Sequence, residues 1–162
     1  LFRSTSGAAM PHASLGWDSF TLAQLSFPWV MAAALRTGRV DLDSFSDRTR
    51  ADPAIAADAA KVQVRLDDEC AANYPKQGPA RVAVVLRGGR RLETYVADPR
   101  GCPELPMSDE EIFGKFRMMV AGRLERDAAD AAIKAVWSLD RAPGLRPLLD
   151  SLSPSNELKA IA

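Results

Sequence analysis

Histidine, cysteine and net charge are scarce in this 162-residue sequence. The 21 basic and 21 acidic residues cancel, so no global field attracts nucleic acid or an anionic membrane. Cys70 and Cys102 are not closely spaced and belong to no dense cysteine framework, so we expect free thiols and a cytoplasmic protein. His12 is the only histidine. Together with the two cysteines it lacks metal-ligand spacing, and we predict no metal site.

Long apolar segments and nucleotide-binding motifs are also missing. No apolar run approaches the ~20 residues of a membrane-spanning helix, and we expect no signal peptide. The sequence contains neither a phosphate-binding glycine loop nor a dinucleotide fingerprint, so we predict no cofactor. The first residue is Leu1 instead of methionine, which we interpret as the sign of a truncated or partial polypeptide.

Helix-start signals, in contrast, are frequent. Ser26, with a proline two residues later, predicts a helix that ends at Gly38. Asp52 and Pro53 predict a second helix that starts in the same manner and ends near Ala60. In both places a proline falls in the first turn, where its missing N–H costs nothing.

Ser108 and Glu111 form a capping box that predicts the start of an amphipathic helix. The apolar residues behind the box recur at helical spacing, which predicts a face packed on a core. These residues are Ile112, Phe113, Phe116, Met119, Val120 and Leu124. A second helical stretch covers about residues 127–139, and a short third piece runs from Pro143 to Leu152.

Three segments alternate apolar with polar residues and predict a meander of antiparallel strands. The alternating residues are Val62, Val64 and Leu66, then Val82, Val84 and Leu86, then Leu92, Thr94 and Val96. Between the last two segments, a three-residue loop with a left-handed Gly89 pairs Val84 with Leu92. A two-residue loop mixes the two faces of the hairpin, so we predict the longer one.

The order of these elements, with helices before and after the strands, predicts an α+β fold class. We expect a small antiparallel sheet with helices packed on one face, plus C-terminal helices. Residues 1–5 are interpreted as the remnant of a strand. The acidic run Asp67–Glu69 is interpreted as a solvated loop, because it lacks the alternating ligand spacing of a calcium loop.

Three segments, in the same order, resemble the MmgE/PrpD superfamily. Residues 101–117 read Gly-x-Pro-x-x-Pro-x-Ser, then an acidic turn, then Lys-Phe-Arg. Residues 23–38 are similar to the family's Ala-x-Phe-Ser-x-Pro-Tyr-x-Val-Ala-x-Ala-Leu-x-x-Gly segment, with Leu25 and Trp29 in place of Phe and Tyr. The third segment is Asp-Pro, an Ala-rich helix and Lys-Val-Gln-Val at 52–64. The resemblance covers about residues 23–152.

The resemblance implies part of an enzyme of small di- and tricarboxylates. Members of the family include 2-methylcitrate dehydratase, cis-aconitate decarboxylase and iminodisuccinate epimerase, which move protons next to a carboxylate. A carbon–oxygen lyase (hydro-lyase) or a related isomerase is therefore implied. The chain resembles the smaller α+β domain, which closes over a large helical domain. The family's Lys-Pro-Tyr-Pro motif and its catalytic histidines and lysines lie mainly in that helical domain, so we expect no catalytic residue here.

The same resemblance divides the chain into domains and implies its partners. Residues 1–127 correspond to the small lid domain, residues 128–152 to C-terminal helices that dock on the helical domain, and residues 153–162 to a frayed tail. The helical domain is expected in the same longer chain or in a separate subunit, and the protein is expected to be a homo-oligomer. Such a lid without its partner should present an apolar patch, formed by Phe27, Trp29, Trp137 or the 145–152 helix.

Three residues are candidates for contact with a carboxylate substrate. His12 lies in a loop that borders the active-site cleft in the family, although an exposed loop residue is the simpler interpretation. Ser26 has no neighbouring base, and helix capping explains it without catalysis. Lys115 either binds an anion or extends from the helix flank beside Phe116. Two alternatives to a lid remain, which are a non-catalytic ligand- or partner-binding module and an inactive fragment.

Overall fold

The computed structural model describes residues 2–4 and 16–152. The chain divides into two units, Leu1–Pro106 and Met107–Ala162. The domain boundary predicted at residues 127–128 stays a prediction. The two units of this chain divide earlier, after Pro106. The tail at 153–162 lies outside the described residues. Among the described helices, none combines the length and the apolar composition that a bilayer crossing requires.

Side-chain caps start each of the five α-helices in the described part of the first unit. These helices are α1 (Phe20–Leu25), α2 (Phe27–Thr37), α3 (Asp47–Arg50), α4 (Pro53–Ala59) and α5 (Asp68–Asn73). Their caps accept a hydrogen bond from a backbone N–H of the first turn, which has no partner inside the helix. The predicted caps Ser26 and Asp52 are confirmed, and so is the left-handed Gly38 (φ 72°) after α2.

The predicted hairpin is confirmed residue by residue. Strands β3 (Ala80–Val85) and β4 (Arg91–Val96) are antiparallel, with Val84 opposite Leu92. The three-residue loop between them has Gly89 at φ 80°, and the Leu86 N–H donates to the Arg90 carbonyl at 2.9 Å. Together with the surrounding helices, this sheet confirms the α+β fold class.

The predicted meander is wrong in its strand order. The sheet has the order β2-β1-β3-β4, so that β1 (Phe2–Ser4) lies between β2 (Val64–Arg65) and β3. Strand β1 pairs antiparallel with β3 and parallel with β2. The strand at 2–4 agrees with the remnant expected at 1–5. Apolar alternation shows which face of a strand is buried, but it carries no information about the neighbour with which the strand pairs.

Trp29 anchors the core of the first unit. The core residues packed with it are Ala23, Ala32, Phe45, Ile55 and Ala59. The Trp29 ring stacks on Trp17 with 5.3 Å between ring centroids, and its Nε1–H donates to the Ser44 carbonyl at 2.9 Å. Trp29 is fully buried, so the expectation that it lies in an exposed apolar patch is wrong.

The second unit contains three α-helices in its described part. They are α6 (Asp109–Val120), α7 (Arg126–Trp137) and α8 (Arg146–Ser151). The capping box is confirmed, because the Ser108 hydroxyl accepts from the Glu111 N–H at 3.3 Å and the Glu111 carboxylate accepts from the Ser108 N–H at 2.8 Å. The prediction that α6 packs on a core is wrong, since none of its residues is buried.

Replacement of Trp29 by phenylalanine tests the anchor. Trp29→Phe keeps an aromatic ring but deprives the buried Ser44 carbonyl of its donor. We expect the free energy of unfolding to fall by about 1–3 kcal/mol in urea denaturation followed by circular dichroism. Trp137→Phe is the matched control, because Trp137 is half-exposed, and its loss should stay below about 1 kcal/mol. Equal losses for the two variants would contradict this role of Trp29.

Candidate functional site

Ser26 starts helix α2 inside the first unit. Its side-chain oxygen accepts from the Trp29 N–H at 3.3 Å, and its carbonyl accepts from the Val30 N–H at 3.0 Å. Only 1% of Ser26 is exposed. The hydroxyl therefore satisfies the open end of α2, as the cap interpretation predicts. Its role in substrate binding stays a prediction.

Lys115 lies on the second unit and His12 lies outside the described residues. The Lys115 side chain is exposed on α6. In the described part of the chain, no carboxylate lies within ion-pair distance of its ammonium. Helical spacing puts Lys115 on the same side of α6 as Ile112, three residues before it. An exposed cation beside apolar residues can meet an anionic ligand or partner, and this prediction for Lys115 and the one for His12 stay predictions.

The second unit has an apolar groove between its three helices, called the docking groove here. Its volume is about 230 Å³, and it is lined by Ile112, Phe113, Phe116, Ala132, Ile133, Val136, Trp137, Leu148 and Leu152. Phe113 and Trp137 meet edge to face, with 4.7 Å between ring centroids and 77° between ring planes. Every lining side chain is apolar, so the groove can bind by burial of surface but offers no group for proton transfer.

Exposure of the docking groove confirms part of the expected apolar patch. Trp137 is 47% exposed, and Leu145, Leu149 and Leu152 around α8 are exposed as well. The ion pair of Arg117 and Asp130, at 2.7 Å, links α6 to α7. A group of adjacent, exposed, large apolar side chains is typical of an interaction surface.

A second groove lies over the sheet of the first unit, called the sheet groove here. Its volume is about 540 Å³, and it is lined by Met31, Leu35, Asp58, Lys61, Val62, Gln63 and residues 82–87. Asp58 binds Lys61 at 2.8 Å and Arg36 at 2.6 Å. The hydrogen bond from Lys61, followed by that from Arg36, lowers the pKa of Asp58. The groove has the size of a small-molecule site, but its carboxylate is already paired with cations.

Arg81 gathers the densest group of charges in the described residues. Its guanidinium binds Asp67 at 3.1 Å, also binds Glu69, and lies 3.4 Å from Glu93. The same guanidinium lies 5.0 Å from the centroid of the Tyr95 ring. These contacts join the start of α5 to β3 and β4. The cluster stabilises the fold and leaves no donor of Arg81 obviously directed at a ligand.

Asp67 corrects our interpretation of the acidic run as a solvated loop. Asp67 is only 6% exposed, and it caps α5 by accepting from the Cys70 N–H at 3.1 Å. This hydrogen bond, followed by that from Arg81, lowers the pKa of Asp67. Burial raises the pKa of the Cys70 thiol, which is the environment of a structural cysteine. Both cysteines are free thiols, as predicted.

A small acidic cluster follows β4 and was not found by sequence reasoning. One donor atom each of Asp98, Cys102 and Glu104 lies within 4.8 Å of the others. Their spacing of four and two residues in a proline-containing loop matches no ligand pattern of structural zinc sites, which use four closely held donors. Exposed acidic groups are common without a metal, so the cluster does not support a metal assignment.

Within the described residues, the two grooves offer mainly apolar surface. General acid–base chemistry needs at least two titratable groups positioned at the reacting atoms. In the ranges 2–4 and 16–152, no histidine is present. Asp58, the carboxylate of the sheet groove, is bound to Lys61 and Arg36, and Arg87 is the remaining charged residue that lines the groove.

Comparison with known families finds a match to the MmgE/PrpD C-terminal domain over residues 4–141. This range includes the three segments on which the resemblance was based, and it confirms that resemblance. It also contains Ser26 and Lys115. No curated protein matches the chain.

Acid titration tests the Arg81 cluster. Because the pKa of Asp67 is lowered in the folded chain, its stabilising contribution is complete above the ordinary carboxylate value of about 4 and is lost as the pH falls below it. Arg81→Gln should lower the midpoint of thermal unfolding at pH 7. The additional decrease of this midpoint between about pH 5 and pH 2 should then be smaller than in the unchanged chain. The reduction is partial, since the Cys70 N–H remains.

Arg48→Gln is the control for this titration. Arg48 is exposed, and its guanidinium lies 3.5 Å from the Asp43 carboxylate. Exposed ion pairs of this kind contribute little to stability. Its unfolding midpoint should follow that of the unchanged chain at every pH. If Arg81→Gln gave the same acid dependence as the unchanged chain, Arg81 would not be what holds the Asp67 carboxylate in its charged form.

Proposed function

Since this chain belongs to the MmgE/PrpD family as its C-terminal domain, we propose that it is the lid or scaffold of an enzyme of small di- and tricarboxylates. The reaction is the removal or delivery of a proton next to a carboxylate, in a dehydration, a decarboxylation or an epimerisation. A 2-methylcitrate-dehydratase-like lyase of the cytoplasm is the expected form. The observation that carries the proposal is the family match over residues 4–141.

In this proposal the chain covers the active site and does not provide the reacting groups. By its resemblance to the family, the catalytic histidines and lysines belong to a large helical domain. The described residues support this division, because the docking groove is wholly apolar and the one carboxylate of the sheet groove is already paired with Lys61 and Arg36. A lid excludes water and positions the substrate, and both effects accelerate reactions whose chemistry other residues perform.

The docking groove is the surface with which the chain binds the helical domain, in the same longer chain or in a separate subunit. Burial of apolar surface contributes about 25 cal/mol per Å², so Trp137, the largest of the exposed residues that line the groove, gains most by being covered. Aromatic side chains of this kind are the usual anchors of an interface. The edge-to-face contact of Phe113 and Trp137 fixes the orientation of both rings in the groove.

Lys115 is the residue of this unit that we propose to attract a carboxylate. Its ammonium is exposed and has no carboxylate partner in the described part of the chain. A lysine binds an anion as a compact charge with three donors. Ser26 and His12 are proposed as supporting groups at the substrate, with Ser26 acting through the start of α2.

A second candidate function is a ligand-binding module that needs no partner. The sheet groove favours it, because a volume of about 540 Å³ lies within the range of small-molecule sites. Binding of a tricarboxylate to the 162-residue chain alone, measured by isothermal titration calorimetry, would support the module. A lid without its helical domain should show no such binding.

Reconstitution tests the lid. The 162-residue chain is mixed with a helical MmgE/PrpD domain, and turnover of 2-methylcitrate is followed by the absorbance of the unsaturated product. Each part alone should be inactive, and the mixture should turn over substrate. Turnover at an enzyme-like rate by the chain alone would contradict the proposal, and so would a helical domain that neither binds the chain nor is activated by it.

Two variants on α6 form a matched pair for the docking groove. Ile112 lines the groove and is 41% exposed, whereas Met118 is 43% exposed on the same helix but does not line it. Ile112→Asp should weaken binding to the helical domain at least about tenfold, because a charge enters an apolar contact. Met118→Asp should change the dissociation constant less than about threefold. Equal effects would mean that another surface binds the helical domain.

A further inference from the structure

The sheet groove follows one edge of strand β3. Residues 82–87 line it without interruption, and so do Lys61, Val62 and Gln63, which lead into β2. Alternate residues of a strand point to opposite faces of a sheet, so a cavity bordered by consecutive residues lies along the edge of the strand and not on one face. Strand β4 occupies one edge of β3. The groove therefore lies at the other edge, on the side of β1.

Strand β1 fills only part of the space between β2 and β3. It consists of Phe2–Ser4, which pair with residues 80–82 of β3, and its first two residues also pair with Val64–Arg65 of β2. No described strand lies between the residues that follow Val82 in β3 and those that precede β2. These residues line the sheet groove. The groove is therefore a gap in the sheet, beside the N-terminal end of β1.

The hairpin register shows which backbone groups of β3 point into this gap. The Leu86 N–H donates to the Arg90 carbonyl, and hydrogen-bonded pairs alternate from there along an antiparallel ladder. Val84 and Val82 therefore bond to β4. The N–H and C=O groups of Val85 point away from β4 and toward the gap. An open strand edge of this kind presents its backbone groups to an added strand.

Apolar side chains at the gap are uncovered as well. Val85 is 62% exposed, and Leu35 of α2, which also lines the groove, is 58% exposed. The carboxylate of the groove, Asp58, is already paired with Lys61 and Arg36. The gap thus offers a backbone edge and apolar surface, and an extended segment that adds to a sheet binds through these two features.

We propose that an extended strand fills the sheet groove as the continuation of β1, formed by residues that precede Leu1 in a longer chain. Strand β1 sets the register, because it already pairs with both sides of the gap. Phe2 lies opposite Val82, and each residue before it comes opposite the next residue of β3. The residues just before Leu1 therefore meet Val84, Val85 and Leu86 in turn. The proposal rests on this register and not on the lid function, so either can fail without the other.

A short N-terminal extension tests the added strand. Thr-Val-Thr-Val in front of Leu1 sets its valines opposite Val84 and Leu86, and both residue types favour strands. In hydrogen–deuterium exchange followed by NMR, the Val85 N–H should exchange at least about tenfold more slowly than in the unchanged chain. Gly-Ser-Gly-Ser in the same place should change this rate less than about threefold. The Ile133 N–H in the second unit is the internal reference and should keep its rate.

A proline in the Thr-Val-Thr-Val extension tests the register. At the second position before Leu1, opposite Val85, proline lacks the N–H that the Val85 carbonyl would accept. The slow exchange of the Val85 N–H should then be lost. At the third position, opposite Leu86, the backbone N–H points away from β3, so a proline there should preserve the slow exchange.

Equal exchange of the Val85 N–H in the Thr-Val-Thr-Val and Gly-Ser-Gly-Ser chains would overturn the proposal. Equal effects of the two prolines would also overturn it, because β1 would then not set the register. Citrate added to the unchanged chain should leave this exchange rate unaltered. If citrate slowed it instead, the groove would be the site of a small molecule and the proposal would be wrong. None of these outcomes bears on the reconstitution of the enzyme.

Discussion

The second unit has more apolar side chain than its three helices can bury. Short helices enclose little volume, and small units bury a small share of their surface. In α6 and α8 no residue is buried, and in α7 only Ala129 and Ala132 are. The large residues Trp137, Ile112 and Leu149 therefore remain at the surface. This constraint is the physical basis of our proposal that the chain binds a partner domain.

In the first unit, by contrast, buried polar groups have partners within the same unit. Its indole Nε1–H at Trp29 has a carbonyl partner, and the charges of Arg81 and Asp67 are matched to each other. Buried polar groups without partners are costly, so this pairing is what allows a tryptophan and a carboxylate to lie in the interior.

Two surfaces of different chemistry follow from this difference. The docking groove is apolar and suits a partner with apolar side chains. The sheet groove of the first unit combines apolar residues with the ion pair of Asp58 and Lys61, which suits a polar small molecule, and with an open strand edge, which suits an added strand.

Local signals in the sequence determined the caps, the capping box at Ser108 and the hairpin around Gly89, because each depends on hydrogen bonds among a few neighbouring residues. They also carried the family resemblance. Only the tertiary structure decided that β1 lies between β2 and β3, that Trp29 is buried and that Asp67 binds Arg81. The same holds for the exposure of α6, whose amphipathic pattern shows one apolar face but not whether anything covers it. Contacts between residues far apart in the chain depend on how elements pack, and no local pattern records this.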